Sequence, residues 1–223
     1  MRSPKRIIGG KYVNRYFKVD CNNSLDFMYA NMAVKNIYFA LISLDYIFDP
    51  DKYNVGVYHD EHAYYFFHIQ SLLTACGNIS NVFYNPNGYN GRRSTERCRR
   101  LRDMLGIKKT DYPLIFQKEL RNTNEHFDER YEEFGGDLGD YNLLDNNTDP
   151  YMRAVIKANP HLRTYYKENH IYYTFVRSKG GFKRTEYNLD ELQSELEKMM
   201  HKISENSLFD SAWVTEISTE SVE

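Results

Sequence analysis

The residues best suited to chemistry form a polar cluster between Leu120 and Arg130. Within it, Arg121 and His126 are separated by four residues, and Asn122 directly follows the arginine. Histidine titrates near neutral pH and can accept or donate a proton, while arginine can hold a phosphate group through two parallel N–H bonds. The cluster therefore contains the side chains needed for acid–base chemistry at a phosphate. A solvated helix face uses the same residue types, so the pattern alone leaves that interpretation open.

In its helical context the cluster resembles the HEPN superfamily, over roughly residues 24–134. HEPN proteins are helical bundles whose Arg-x(4–6)-His element, often with a polar residue after the arginine, marks metal-independent ribonucleases that act as dimers. Carried over by position, the resemblance implies that Arg121, His126 and Asn122 are catalytic. It also implies RNA as the substrate, no metal or other cofactor, and a toxin–antitoxin or defence role with an antitoxin or another regulatory protein as partner.

This sequence departs from one HEPN group at Asp128. HEPN toxins that are paired with nucleotidyltransferase antitoxins often have a tyrosine two residues after the histidine. Modification of a tyrosine at that position is therefore excluded for this chain.

The directions of the three side chains favour a site shared by two chains. At 100° per residue, Arg121 and His126 project about 140° apart on one helix, whereas Asn122, His126 and Glu129 lie within about 60°. Two copies related by a two-fold axis can place each histidine near the other chain's arginine, which predicts a homodimer. Cleavage that uses a ribose 2′-hydroxyl would leave a cyclic phosphate and would be specific for RNA.

A second candidate site is an arginine-rich stretch, with Lys108 and Lys109 beyond it. The chain has a net charge of −2, so nucleic-acid binding must rely on such a local patch. The residues predicted to contact RNA are Arg93, Arg97, Arg99, Arg100 and Arg102. Because Glu96 and Asp103 are interspersed, a solvated helix face or an intersubunit ion-pair surface remains the alternative interpretation.

Mostly helical elements are predicted to position these residues. Apolar periodicity predicts helices over 24–48, 60–84 and 93–105, the last of them ended by Gly106. A fourth helix is predicted to open after Asp111 and to continue to Phe134. The apolar residues expected to bury the first two helices include Leu25, Met28, Met32, Ile37, Ile42 and Leu44, and Phe66, Phe67, Ile69, Leu72 and Phe83.

The C-terminal part of the chain predicts mixed structure. A loop is expected over 135–150, then a short helix from Pro150, a β-hairpin formed by residues 170–176 and 182–187, and a helix from Asn188 to about Ile203. The predicted fold class is mainly α: a HEPN-like four-helix bundle over 24–134 with a small α+β appendage over 151–205. Residues 1–23 form an N-terminal extension, and 206–223 form an acidic tail.

The cysteine content and the distribution of apolar residues indicate the cellular compartment of the protein. Cys21, Cys76 and Cys98 are far apart and form no paired motif, which favours a reducing compartment. The N-terminus lacks the apolar run of a signal peptide, and no stretch has the roughly 18 apolar residues of a membrane helix, so a cytoplasmic location is predicted without membrane partners. The histidines around Glu61 match no strong ligand motif, so we expect no metal site.

Two functions from other classes remain open alternatives. One is a non-catalytic helical dimer that serves as an interaction module, in which Arg121 and Glu125 pair across one helical turn. The other is an RNA- or nucleotide-binding regulator that uses the basic helix without catalysis. The 20 tyrosines and 13 phenylalanines suit a dimer contact, although a biased genome would also explain them.

Overall fold

Helices dominate the part of the chain that the computed structural model describes, which comprises residues 24–50, 61–84, 91–117, 132, 163–178 and 181–205. Within these ranges the helices are α1 (Ser24–Phe48), α2 (Glu61–Tyr84), α3 (Gly91–Leu105) and α4 (Leu189–Ser204). The strands β1 (Arg163–Tyr166), β2 (Ile171–Ser178) and β3 (Gly181–Asn188) form an antiparallel sheet in the order β1-β2-β3. The prediction of a mainly helical chain with a small β component is thus confirmed.

The first two helices form an antiparallel hairpin with the predicted bounds. Asn78 Nδ2 donates to Asn36 Oδ1 at 3.0 Å at the middle of α1, and the Tyr64 hydroxyl donates to the Tyr46 carbonyl at 3.1 Å near the end of α1. The buried row on α1 contains three alanines as well as larger apolar residues. The buried α1 residues in this row are Ala30, Ala33, Ile37, Ala40, Leu44 and Ile47.

Several apolar residues that the sequence predicts to be buried are instead exposed. Leu25, Met28, Met32 and Ile42 on α1, and Phe67 on α2, point away from the core. Periodicity predicted these residues correctly as helical, but it could not distinguish two apolar faces on one helix.

Gly106 ends α3 as predicted. Its φ of +65° lies in the left-handed region that glycine adopts without steric cost, and the Ile107 N–H donates to the Arg102 carbonyl at 3.0 Å across the helix end. A Cβ at this position would lie 3.0 Å from Lys202 Cε on α4. The chain then makes a short 3-10 turn at Lys109–Asp111.

The helix predicted after Asp111 does not begin as expected. Residues 113–116 form turns, with the Phe116 N–H donating to the Tyr112 carbonyl at 3.2 Å. The side chain of Glu195, far along the chain on α4, accepts from two backbone N–H groups of this segment, which takes the place of a local helix start. The continuation of the predicted helix over 118–131 lies outside the described residues.

The predicted β-hairpin is confirmed as β2 and β3. The pairing joins Ile171 to Asn188 at one end and Ser178 to Gly181 at the turn. Strand β1, which the sequence did not predict, pairs with β2. Its neighbour in the sequence, the short helix predicted from Pro150, lies outside the described residues.

A row of tyrosines joins the sheet to the helices. Tyr165, Tyr172 and Tyr187 are cross-strand neighbours on one face, and all three are buried. Tyr165 contacts the Tyr65 ring of α2 at 5.4 Å between centroids, and Tyr172 contacts Phe66 at 6.4 Å. The residues predicted to form an appendage therefore share a core with α1 and α2.

Helix α4 completes that core. The Asn188 side chain caps its start by accepting from the N–H groups of Asp190 and Glu191, as the sequence predicts. Its buried residues recur every three or four positions and pack as one stripe: Leu189, Leu192, Leu196, Met199 and Ile203. Within the described ranges, no helix combines the length and apolar character that crossing a membrane requires.

Candidate functional site

The predicted catalytic residues Arg121, Asn122 and His126 lie outside the described residues. Their roles therefore stay predictions. The structure does describe the segment that leads into them, residues 112–117, and the basic helix α3 that was predicted to contact RNA.

Glu195 fixes the 112–117 segment to α4. Its carboxylate accepts from the Leu114 N–H, at 3.1 Å to each oxygen, and from the Ile115 N–H at 3.0 Å. Burial raises the pKa of Glu195, while the hydrogen bonds from Ile115 and Leu114 act in the opposite direction. These bonds satisfy two backbone donors that a helix start would otherwise leave to water or to a capping residue.

Two aromatic residues of the same segment pack against α2 and α4. Tyr112 and Phe116 are almost completely buried. The Phe116 ring meets Tyr84 edge-on at 4.6 Å between centroids, and Lys198 Nζ lies 5.4 Å from the Tyr112 ring centroid. The chain thus enters the predicted catalytic cluster from a point that is fixed to both α2 and α4.

The basic helix α3 uses one of its arginines to hold α1. Arg100 Nε and an Arg100 Nη donate to the two carboxylate oxygens of Asp26 at 3.0 Å each. The Asp26 side chain is only 4% exposed, whereas that of Arg100 is about half exposed. This two-bond arrangement neutralises a carboxylate that the core would otherwise bury without a partner.

Two more of these arginines face the neighbouring helices. The Arg97 guanidinium stacks 3.8 Å from the Tyr29 ring centroid and donates to the Asn81 carbonyl at 3.4 Å. Arg102 donates to the Phe83 carbonyl and lies 4.5 Å from the centroid of the Tyr84 ring. Three of the five arginines predicted to contact RNA are therefore engaged in packing α3 onto α1 and α2.

What remains of the predicted basic patch is smaller. Arg99 is exposed on α3, and Lys108 and Lys109 are exposed just beyond the helix. Arg93 belongs to α3, but its side chain falls outside the described part. Among the described side chains of the patch, Arg99 and the two lysines are the basic residues left free of these packing contacts. RNA contact by these residues and by Arg93 stays a prediction.

A histidine–aspartate pair was missed by the sequence reasoning. His170 Nδ1 and Asp190 Oδ1 are 3.0 Å apart, and the His170 ring stacks on Phe48 at 4.2 Å between centroids. His170 has a φ of 51°, unusual for a residue with a side chain, and its carbonyl accepts from the Leu189 N–H at 3.0 Å. These contacts join the β1–β2 turn to the start of α4 and the end of α1. The His170–Asp190 pair therefore has a structural role, because it positions these three elements.

His68 also sits among aromatic rings. It stacks on Tyr46 at 4.5 Å between centroids, and burial lowers its pKa. Within the described ranges, no three histidine, cysteine or acidic side chains stand close enough to hold a metal ion.

Comparison of the chain with protein-family models, with curated proteins and with solved structures finds no match. The HEPN interpretation therefore rests on the residues of the chain itself.

Proposed function

We propose that this protein is a HEPN-like, metal-independent endoribonuclease that acts as a homodimer. The observation that carries the proposal is the Arg121-Asn122-x3-His126 element in a mainly helical chain. The anchored 112–117 segment supports it, because a catalytic element needs a rigid point of entry. A toxin or defence role, with a regulatory protein as partner, belongs to the same proposal.

The chemistry follows from the side chains of the element. His126 accepts the proton of a ribose 2′-hydroxyl as that oxygen attacks the adjacent phosphorus. The bond from phosphorus to the 5′-oxygen breaks, a protonated histidine returns a proton to that oxygen, and the products carry a 2′,3′-cyclic phosphate and a 5′-hydroxyl. Arg121 holds the phosphate oxygens through two N–H bonds, and Asn122 orients the histidine or donates to the phosphate.

A dimer brings these groups together. Because Arg121 and His126 project in different directions from one helix, the histidine of one chain acts on a phosphate held by the arginine of the other. The RNA backbone outside the cleaved bond is held by Arg93 and by Arg99, Lys108 and Lys109, the last three of which have exposed side chains.

The second candidate function is a non-catalytic dimeric interaction module. The observation that favours it is that Arg97, Arg100 and Arg102 bind groups of α1 and α2, which reduces the charge available to bind RNA. Such a module would dimerise and bind a protein partner without cutting RNA. Binding of RNA without cleavage, lost at raised salt, would instead indicate a regulator.

Incubation of purified protein with single-stranded RNA in EDTA tests the proposal. We expect cleavage products that end in a cyclic phosphate, and no cleavage of DNA of the same sequence. Intact RNA after incubation with a folded, dimeric protein would favour the interaction module.

A further inference from the structure

Helix α1 carries a second apolar stripe on its outer side. The members of the stripe are between 37% and 66% exposed, and they recur at alternating intervals of three and four residues. They are Leu25, Met28, Met32, Phe39 and Ile42. Lys35, also exposed, occupies the one position of this repeat that is not apolar. The spacing is the heptad pattern by which helices pack against other helices.

The stripe is separate from the buried side of α1. At 100° per residue its mean direction lies about 145° from that of the row Ala33, Ile37 and Leu44, which packs inside the chain. A helix that is apolar on two sides is normally covered on both. The part of the chain that the structure describes leaves this outer side of α1 exposed.

Helix α2 extends this surface without adding charge. After Glu61, its sequence contains no aspartate, glutamate, lysine or arginine as far as Tyr84. Its exposed residues include Phe67, which is 65% exposed, and the uncharged Gln70, Thr74 and Asn78. An ordinary solvent-facing helix carries charged residues at many such positions, so this composition is typical of an interface core.

The two helices form one continuous face. The Tyr46 ring of α1 stacks on His68 of α2 with an interplanar angle of 3°, and the Phe67 ring meets His68 edge-on at 5.1 Å between centroids. One turn before Tyr46 lies Ile42. We call the α1 stripe, together with Phe67, Gln70, Thr74 and Asn78, the α1–α2 face.

The size of this face fits a specific protein–protein contact. The stripe from Leu25 to Ile42 is about 26 Å long at about 1.5 Å per residue. Two helices side by side over this length, about 10 Å apart, present on the order of 500 Å² on each chain, or about 1,000 Å² for the two chains together. Specific interfaces bury about 1,000 Å² or more in total.

We propose that two copies of this chain pair through the α1–α2 face, hairpin against hairpin, around a two-fold axis. Apart from Lys35, the face carries no charge and is rich in methionine and phenylalanine, so it can meet its own copy with little repulsion between like charges. Lys35 is tolerated because its aliphatic stem can lie along the apolar surface while its ammonium reaches water. The pairing forms a four-helix contact between the chains.

The composition of α1 and α2 favours a second copy of this chain, and not a membrane, as the partner of the α1–α2 face. Helices that lie on lipid surfaces carry several lysines or arginines along their polar side. Lys35 is the only lysine or arginine in α1, and α2 has none. This pairing deepens the proposed function by naming the surface through which the dimer forms. It rests on the proposed function only for the link between dimer formation and RNA cleavage.

The test measures the molar mass of the full chain by light scattering at tens of micromolar. Wild type is expected to be a dimer, and Met28→Glu with Phe39→Glu is expected to weaken pairing by about 100-fold or more, because each variant places an unpaired charge in the contact. Ser194→Glu, at an exposed position on α4, is the control and is expected to stay dimeric. Lys35→Met completes the apolar repeat and is expected to tighten the dimer.

A monomeric wild type, or a double variant that stays dimeric, would overturn the inference. So would a Lys35→Met variant that pairs no more tightly than wild type. A wild type that stays monomeric but binds phosphatidylcholine–phosphatidylserine vesicles through α1 would show that the face binds a membrane instead. Far-UV circular dichroism checks that each variant is folded. A dimer that cuts no RNA contradicts the proposed function alone, whereas a wild-type dimer that cuts RNA, and whose Met28→Glu with Phe39→Glu variant stays dimeric, contradicts pairing through the α1–α2 face alone.

Discussion

Arg100 and Asp26 stand 74 residues apart in the sequence, yet the guanidinium of one binds both carboxylate oxygens of the other at 3.0 Å. The contact joins α3 to the first turn of α1. An arginine that the sequence marks as a candidate for RNA binding therefore holds the fold together.

We expect Arg100→Ala to lower the free energy of unfolding by about 2 kcal/mol, because it leaves the buried Asp26 carboxylate without its partner. Arg99→Ala, on the exposed side of the same helix, should change it by less than about 0.5 kcal/mol. Urea unfolding followed by circular dichroism measures both values. Equal effects of the two variants would show that the ion pair does not stabilise the fold.

The exposed basic residues give a separate prediction for RNA binding. Replacing Arg99, Lys108 and Lys109 together by glutamate should weaken binding and reduce the slope of log affinity against log salt by about 2, at about 0.7 per phosphate contact with single strands. Filter binding at several salt concentrations provides the slope. Lys183→Glu, exposed on β3, serves as the control. An unchanged slope in the triple variant would remove these residues from any RNA-binding role.

Glu195 provides a prediction on stability. Glu195→Ala leaves the Leu114 and Ile115 N–H groups without their acceptor, and it should lower the free energy of unfolding by about 1–3 kcal/mol. Glu195→Gln keeps one oxygen acceptor and should cost less. Urea unfolding at pH 7 compares the two. A glutamine variant as unstable as the alanine variant would show that the charge, and not the hydrogen bonds, matters here.

The pH dependence of the Glu195→Gln comparison follows from the raised pKa of Glu195. A carboxyl group whose pKa is higher in the folded state stabilises the fold most below its unfolded pKa and loses that contribution as the pH rises through the folded value. The stability of Glu195→Gln relative to wild type should therefore rise as the pH increases above about 4.5. Urea unfolding between pH 4 and pH 7 measures the difference, and a fall over this interval would contradict the assigned direction.

Local signals predicted the parts of the fold that local interactions determine. Apolar periodicity predicted α1 and α2, Gly106 predicted the end of α3, and Asn188 predicted the start of α4. Strand β1 was missed because four residues carry little pattern of their own and depend on pairing with β2.

Long-range partners account for the other differences. Nothing near Arg100 in the sequence indicates Asp26, and nothing near Leu114 indicates Glu195, so neither the inward arginines nor the turns at 112–117 could be predicted. The exposure of Met28 and Phe67 could not be predicted for a related reason. Periodicity shows that a face is apolar, but not whether the same chain or a second copy covers it.

The most direct test of the central claim is complementation between His126→Ala and Arg121→Ala in an RNA cleavage assay with EDTA. Each variant alone should be inactive while it keeps its helix content and its dimeric state. After the two are mixed and chains exchange, the heterodimer contains one site with both an intact histidine and an intact arginine, so activity should recover to at most about half of wild type per heterodimer. Wild type that cuts no RNA in EDTA, or single variants as active as wild type, would contradict the account.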